Sequence, residues 1–318
     1  MTRAVPMSEP TPVKASAGFF QRVLASARSA VGGGVLGIML LACLVSLPWT
    51  SAPGGALYYN DQQSSQARQP PRLGEGVKFW FGTDALGRSL LGRCLLGGAI
   101  SLLIGLAAAL ISVLLGVSVG LVAGYRGGWV DALLMRMVDV LYGLPYILMV
   151  ILFKIALEPL LRKGMGEDSA NLVVLFLAIG LVSWLTMARV VRGQVLTLRT
   201  QPFIEAARAC GVTEGGIFLR HLLPNLTGPI IVYATLTIPA AILQESFLSF
   251  LGVGIKAPMP TWGALASEGL MPALNTIQSR WWMLVFPCTL LALTLLALNF
   301  LGDGLRDVLD PRRQTARI

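Results

Sequence analysis

Six runs of apolar residues, near positions 31–48, 99–123, 133–157, 172–188, 229–251 and 282–301, are each about as long as a helix needs to be to cross a bilayer. A chain of this kind has lipid as its main solvent. Every backbone amide inside a span must then be bonded internally, which leaves helices as the regular element such runs can form. Composition agrees: 55% of the 318 residues are hydrophobic and 13% are charged, with a mean hydropathy of +0.71, unlike ordinary water-soluble domains. The expectation is an all-α membrane protein with six transmembrane helices. About thirty mostly polar residues precede the first run, more than the short basic lead of a cleaved signal peptide, so that run is read as a retained anchor.

Six spans put both termini on one side, and the placement of Lys and Arg decides which. With the N-terminus inside, fifteen basic residues fall on inner segments and ten on outer ones, which favours cytoplasmic N- and C-termini. Basic residues flanking spans also account for the net charge of +9 without a nucleic-acid partner. The expected layout is a cytoplasmic segment at 1–30, an anchor helix at 31–50 and an outer loop with an amphipathic segment at 51–98. A five-helix core at 99–302, with a cytoplasmic loop at 190–227, and a cytoplasmic tail at 303–318 complete it.

Several chemistries are excluded. Cys43, Cys94, Cys210 and Cys288 form no C-x-x-C pair and His221 is the sole histidine, so no metal or redox site is recognisable. A Cys94–Cys288 disulfide on the outer side competes with the commoner use of isolated cysteines as small hydrophobes. There is no G-x-x-x-x-G-K-[ST] phosphate loop, and no nucleophile and base pair for an intramembrane hydrolase. Trp49, Trp129, Trp281 and Trp282 stand near span ends, where tryptophan anchors the interface.

The inner loop at 190–227 has its own pattern. Residues 196–210 are dense in helix formers, Gly211 stands where a helix C-terminal glycine belongs, and Thr213 can cap a second, short helix before Pro224 leads into the next span. Ile217 and Phe218 are expected to give its tip an apolar surface that water disfavours. Gly215 and Gly216 each weaken that short helix by about 1 kcal/mol relative to alanine.

Glu205-Ala206-Ala207, then Gly211 after three residues, then Leu223-Pro224, resemble the EAA loop of binding-protein-dependent ABC permeases. Alanines there allow close packing, glycine allows a reversal, and an apolar tip can enter a partner's groove. The stretches Trp184-Leu185-Thr186-Met187-Ala188-Arg189, Val191-Arg192-Gly193-Gln194 and Arg220-His221-Leu222-Leu223-Pro224-Asn225 are similar to the oligopeptide and dipeptide branch. So is Gly82-Thr83-Asp84-Ala85-Leu86-Gly87-Arg88, although Ser89 stands where that branch commonly has Asp. Glu245-Ser246-Phe247-Leu248-Ser249-Phe250 and Asn299-Phe300-Leu301-Gly302-Asp303-Gly304 complete the resemblance.

The resemblance implies a type I ABC importer permease fold with a cytoplasmic coupling helix. Glu205, Ala206, Ala207, Gly211, Ile217, Phe218, Leu223 and Pro224 would couple to an ATPase, and the weak short helix would be well ordered mainly when that ATPase is bound. Gly82, Thr83, Asp84, Gly87 and Arg88 would scaffold the entrance where a binding protein docks, although Asp84 alone can equally be a turn and helix cap. Glu245 should face protein or a wet pathway, either in structural hydrogen bonding or at a gate. Implied partners are a second, related permease, two cytoplasmic ATPases that hold ATP and Mg, an extracytoplasmic binding protein and the lipid bilayer of a bacterial inner membrane. No cofactor or catalysis is expected in this chain. Oligopeptides or dipeptides are the implied cargo, with nickel chelates, glutathione and peptide antibiotics as alternatives within the family. From other classes, an ion-coupled secondary transporter would show inverted repeats that are not detected here, and a structural scaffold would be indifferent to ATP.

Overall fold

A computed structural model of the chain describes residues 26–309, and the terminal stretches 1–25 and 310–318 of the expected layout lie outside the described residues. The long helices are α1 (Ala27–Thr50), α2 (Leu90–Arg126), α5 (Glu167–Leu198), α8 (Leu223–Phe250) and α10 (Trp282–Leu309). Shorter ones are α3 (Gly128–Tyr142), α4 (Tyr146–Arg162), α6 (Pro202–Ala209), the single turn α7 (Glu214–Gly216) and α9 (Trp262–Ala273). A π-helical turn, Ile217–Leu222, joins α7 to α8. No strand occurs among the described residues.

Among the described residues, five helices are long and apolar enough to cross a membrane, or six if the bent pair α3–α4 is one span. That pair corrects the expected straight span at 133–157, because the axis turns by 98° between Tyr142 and Tyr146. Pro145 supplies no backbone N–H and pushes Leu144 out of the helical region, which ends α3. Other spans overrun their apolar runs. α2 is 37 residues, about 55 Å long against about 30 Å of hydrocarbon. It begins at Leu90, inside the 51–98 segment expected to be an outer loop with an amphipathic stretch, while α10 continues past residue 301 to Leu309.

The core is organised by glycine. Gly116, Gly120 and Gly124 form a stripe down α2 where added Cβ atoms would meet Met187 Cβ at 2.5 Å, the Ala188 carbonyl at 2.5 Å and Val195 Cβ at 2.8 Å, all on α5. Gly180 returns the fit, lying against Ile111 of α2. The opposite face of α2 carries Leu103, Leu106, Leu110 and Leu114, each more than half exposed and free to meet lipid tails. Lipid is as apolar as leucine, so burying leucine yields little in a bilayer, and small residues that bring backbones together supply the packing attraction instead. Gly105 admits Ile238 and Ile242 of α8, and Gly32 of α1 sits on the Ala297 carbonyl of α10.

Two side chains first read as loop or surface features are internal. Arg93 is fully buried in the first turns of α2, and Trp282 is buried rather than an interfacial anchor, its Nε1 donating to the Thr83 carbonyl at 3.3 Å. The four cysteines are free, so no disulfide joins Cys94 to Cys288; Cys94 packs with Leu90, Leu265, Trp282 and Met283 as a small apolar residue.

The stripe makes a direct prediction. Gly120→Val should lower the thermal unfolding midpoint of the purified protein, at a cost of about 1–3 kcal/mol from overpacking. Gly34→Ala, where nothing lies within 4 Å, should leave the midpoint unchanged or raise it, since alanine is the better helix former. Equal midpoints for the two variants would show that α2 and α5 are not held this way.

Candidate functional site

Asp84 is the hub at one end of the bundle. It is buried, with Oδ1 accepting from the backbone N–H groups of Leu86 at 2.8 Å and Arg88 at 3.0 Å. Oδ2 accepts from Arg88 Nε at 2.6 Å and from Arg93 Nη1 at 2.8 Å. Arg93 also forks onto Glu268 of α9, with Nη1 to Oε2 at 2.5 Å and Nη2 to Oε1 at 3.0 Å. Glu268 is one-third exposed, so the network runs from solvent into a fully buried guanidinium. Fork-shaped Arg–carboxylate pairs are the strong and directional kind.

The surrounding motif residues hold that hub in place. Thr83 Oγ1 donates to the Gln66 carbonyl at 2.6 Å and accepts from Gln69 N–H at 2.8 Å. Gly82 and Gly87 both have φ of +76°, and a Cβ on Gly87 would collide with the Gln63 carbonyl. Ser89, the departure from the branch pattern, caps α2 by accepting from Gly92 N–H at 3.3 Å, as an aspartate there would. Asp84 is therefore both turn cap and anchor of two arginines. The sequence alone pointed to Asp84 and Arg88 but not to Arg93 or Glu268, which lie far apart in the chain and meet only in the fold.

At the other end, α5 and α8 are linked by the segment that carries Glu205. Helix does not run unbroken through 196–210: Pro202 opens α6 after a break at 199–201. α6 buries Ile204 and Ala207 and exposes Phe203, Glu205 and Ala206, and nothing among the described residues pairs with Glu205. Gly211, at φ +75°, reverses the chain. Thr213 caps the next turn, accepting from Gly216 N–H at 3.3 Å. The expected separate short helix is instead the first turn of a continuous helical stretch, Glu214–Phe250, so Gly215 and Gly216 do not leave it isolated.

The expected apolar tip is also revised. Ile217 is buried in a cluster with Ile204, Val195, Leu222 and Leu226, and Phe218 is half-buried, edge-on to Tyr125 at 6.0 Å. Leu219, 64% exposed, is the apolar residue that faces outward. A sequence cannot say which side of a π-helical turn faces the bundle. Leu223 is half-buried and Pro224 exposed at the start of α8. Cys210, Gly211, Thr213, Gly216, Leu219 and Arg220 border an open depression of about 480 Å³.

Arginines of the Trp184–Gln194 stretch connect this loop to the bundle. Arg192 forks onto Asp131 of α3 at 2.5 and 2.7 Å, Arg189 bonds Asp139 at 2.9 Å and lies 4.0 Å over the Tyr142 ring. Arg199 donates to the Gly124 carbonyl at 3.0 Å.

Glu245 lies within α8, fully buried. Its Oε1 accepts from Ser249 Oγ at 2.6 Å, and Oε2 accepts from Ser101 and Ser246 at 3.4 Å each. Its setting is a closed hydrogen-bonded junction of α8 and α2. Its neighbour Gln244, about 100° round the helix, faces a groove of about 570 Å³ bounded by α3, α4, α5 and α8. Gln244 Oε1 and Tyr146 Oη are buried there without hydrogen-bond partners among the described residues, each at a cost of about 1–3 kcal/mol. Lys154 of α4 is buried and donates to the Val253 and Gly254 carbonyls at 2.5 and 2.7 Å.

The chain shares its fold with a chain of an inward-facing MetNI methionine ABC transporter, at a TM-score of 0.52 and 20% identity, covering 67% of this chain and 94% of that one. Residues 116–315 match the family of binding-protein-dependent transport system inner membrane components, and the chain belongs to that family. It is 43% identical over 285 residues to the oligopeptide transport system permease protein OppC of Escherichia coli K12, covering 90% of this chain and 87% of the relative. To the dipeptide transport system permease protein DppC of Bacillus subtilis 168 it is 47% identical over 251 residues, covering 79% and 73%.

Asp84→Ala should destabilise the fold by about 3 kcal/mol or more, since it strips a buried guanidinium of one partner. Glu75→Ala, which breaks only the exposed Arg72 pair, should cost under about 1 kcal/mol. Protease susceptibility of the two variants in detergent, compared with the unsubstituted chain, measures the difference.

Proposed function

We propose that this chain is a membrane permease subunit of an ATP-driven importer that carries oligopeptides or dipeptides across a bacterial inner membrane. Its working complex pairs it with a second, related permease, two cytoplasmic ATPases that bind ATP and Mg, and an extracytoplasmic binding protein. Catalysis and nucleotide then belong to the ATPases, and the termini are cytoplasmic. The similarity to peptide permeases of two bacteria supports the cargo.

The observation that most supports the coupling assignment is the surface at the Glu205 end. An unpaired carboxylate, exposed Phe203 and Leu219, and an open depression bordered by Gly211 and Arg220 lie on one protruding element. Behind it, Ile204, Ala207, Ile217 and Leu222 lock that element to α2, α5 and α8. A push on the loop is therefore delivered to three spans at once. Loaded binding protein at the Asp84 end favours ATP-bound closure of the ATPases; the two loops move together, the spans open outward to receive cargo, and hydrolysis restores the inward-facing state.

Two measurements test this. Glu205→Ala and Gly211→Val should each reduce peptide uptake by the reconstituted complex about tenfold or more, equivalent to about 1.4 kcal/mol of lost coupling, with the chain still assembled in the membrane. Normal uptake by both variants rules the coupling role out. Cys210 is the one exposed thiol among the described residues, two others being buried and Cys288 partly so, so a membrane-impermeant maleimide should label it in inside-out vesicles and not in intact cells. Labelling of intact cells would reverse the topology.

A further inference from the structure

The groove between α3, α4, α5 and α8 is lined by two residues, Tyr146 and Gln244, whose side-chain oxygens lie just beneath its surface without a partner among the described residues. From this geometry we infer that it is a cargo-contact site in which Tyr146 and Gln244 bond the backbone amides of an extended peptide. The inference rests on the peptide reading above and deepens it.

Three observations converge. The first is chemical. Tyr146 Oη and Gln244 Oε1 are buried, lack partners among the described residues, and line the same groove. A phenol and a carboxamide left unpaired in apolar surroundings are unfavourable unless a ligand or water completes them. One offers a donor and the other an acceptor, the pair that a peptide C=O and N–H require.

The second is backbone geometry. The groove is bounded by the 98° bend between α3 and α4, where Leu144 and Pro145 leave the helical hydrogen-bond pattern. Irregular backbone at membrane depth is tolerated where it borders protein or a wet cavity, not against lipid tails. Ser183, Thr186, Tyr233 and Thr237 also line it; the Ser183 and Thr237 hydroxyls donate to the Ile179 and Tyr233 carbonyls of their own helices, each at 2.8 Å.

The third is shape. Tyr233, Leu236, Thr237, Ala240 and Gln244 fall on one face of α8 and span about 16 Å along its axis. That length accommodates about five residues of extended chain. Leu141, Met149, Val182 and Leu185 add an apolar wall that accepts varied side chains without selecting one. Recognition through backbone amides with an indifferent apolar wall suits a permease that passes peptides of many sequences.

The test uses the full reconstituted complex with radiolabelled tetra-alanine as probe, comparing Tyr146→Phe, Gln244→Leu and the unsubstituted chain. The expected result is a fall in uptake of about tenfold in each variant, while binding-protein-stimulated ATP hydrolysis is retained. Thermal midpoints should be unchanged or higher, because each substitution removes an unpaired buried polar atom; a purely structural role would lower them. In parallel, Thr237→p-benzoylphenylalanine, irradiated during turnover, should attach to the labelled peptide in an ATP-dependent manner. Uptake unaffected in both variants, or adducts found only with the second permease or with lipid, overturns the site while leaving the peptide reading intact. No tetra-alanine uptake by the unsubstituted complex, under conditions where its ATPase responds to binding protein, overturns both.

Discussion

The close approach of α2 and α5 along Gly116, Gly120 and Gly124 is the contact on which the remaining structure depends. In lipid no hydrophobic gain draws two helices together, so association falls to dispersion between surfaces that fit. The glycine stripe brings the α2 backbone within van der Waals reach of Met187, Ala188 and Val195, and its leucines are left to the bilayer. With this pair in place, α8 docks through Gly105, and the arginines at the end of α5 reach α3. The loop carrying Glu205 is a rigid extension of the same pair, because Ile204 and Ile217 are buried in a cluster that includes Leu121 and Val195.

Charge is handled in a consistent way at both ends. Asp84, Arg88 and Arg93 are buried near the start of α2, where both Asp84 oxygens and both Arg93 Nη atoms have specific partners, and Glu268 brings the network out to solvent. Breaking such a cluster is costly, whereas its net contribution over an apolar core can be small, which makes geometric specification its better-founded role. Arg192 and Asp131 perform the same service for α3. Lys154, seated on the carbonyls of Val253 and Gly254, ties the bent α4 to the end of α8. Of the five buried side-chain atoms without a partner among the described residues, on Gln66, Arg93, Tyr146, Asn171 and Gln244, those of Tyr146 and Gln244 belong to residues that line one groove.

Much of this was legible beforehand, for reasons that can be named. Apolar runs disclosed the spans because a bilayer imposes a length on them, and Gly211 and Thr213 disclosed their turns because a left-handed backbone and a helix N-terminus each select few residue types. The bend at Gly143–Pro145 was also written locally, in a proline inside an apolar run, although the run's length hid it. So was the Gly116-x-x-x-Gly120-x-x-x-Gly124 repeat, a recognised small-residue signal for helix contact. Arg93 was misplaced because charge counting assigns every arginine near a span end to water. Ile217 was misplaced because the facing of a side chain in a π-helical turn depends on what the turn packs against.

The sequence by itself determined that the chain is helical, that it is embedded in lipid, and that a Glu-Ala-Ala loop links two of its spans, since each follows from local composition, spacing and the solvent the residues demand. Only the tertiary structure decided which polar residues are joints and which are open. Arg93, which holds Asp84, meets Glu268 across 175 residues of sequence, and Glu245 is sealed by Ser101 from another helix. Adjacent residues on a helix differ by about 100° in facing, so Gln244 opens on a groove while Glu245 is closed in. That difference arises from the packing of neighbouring helices, which no local pattern encodes.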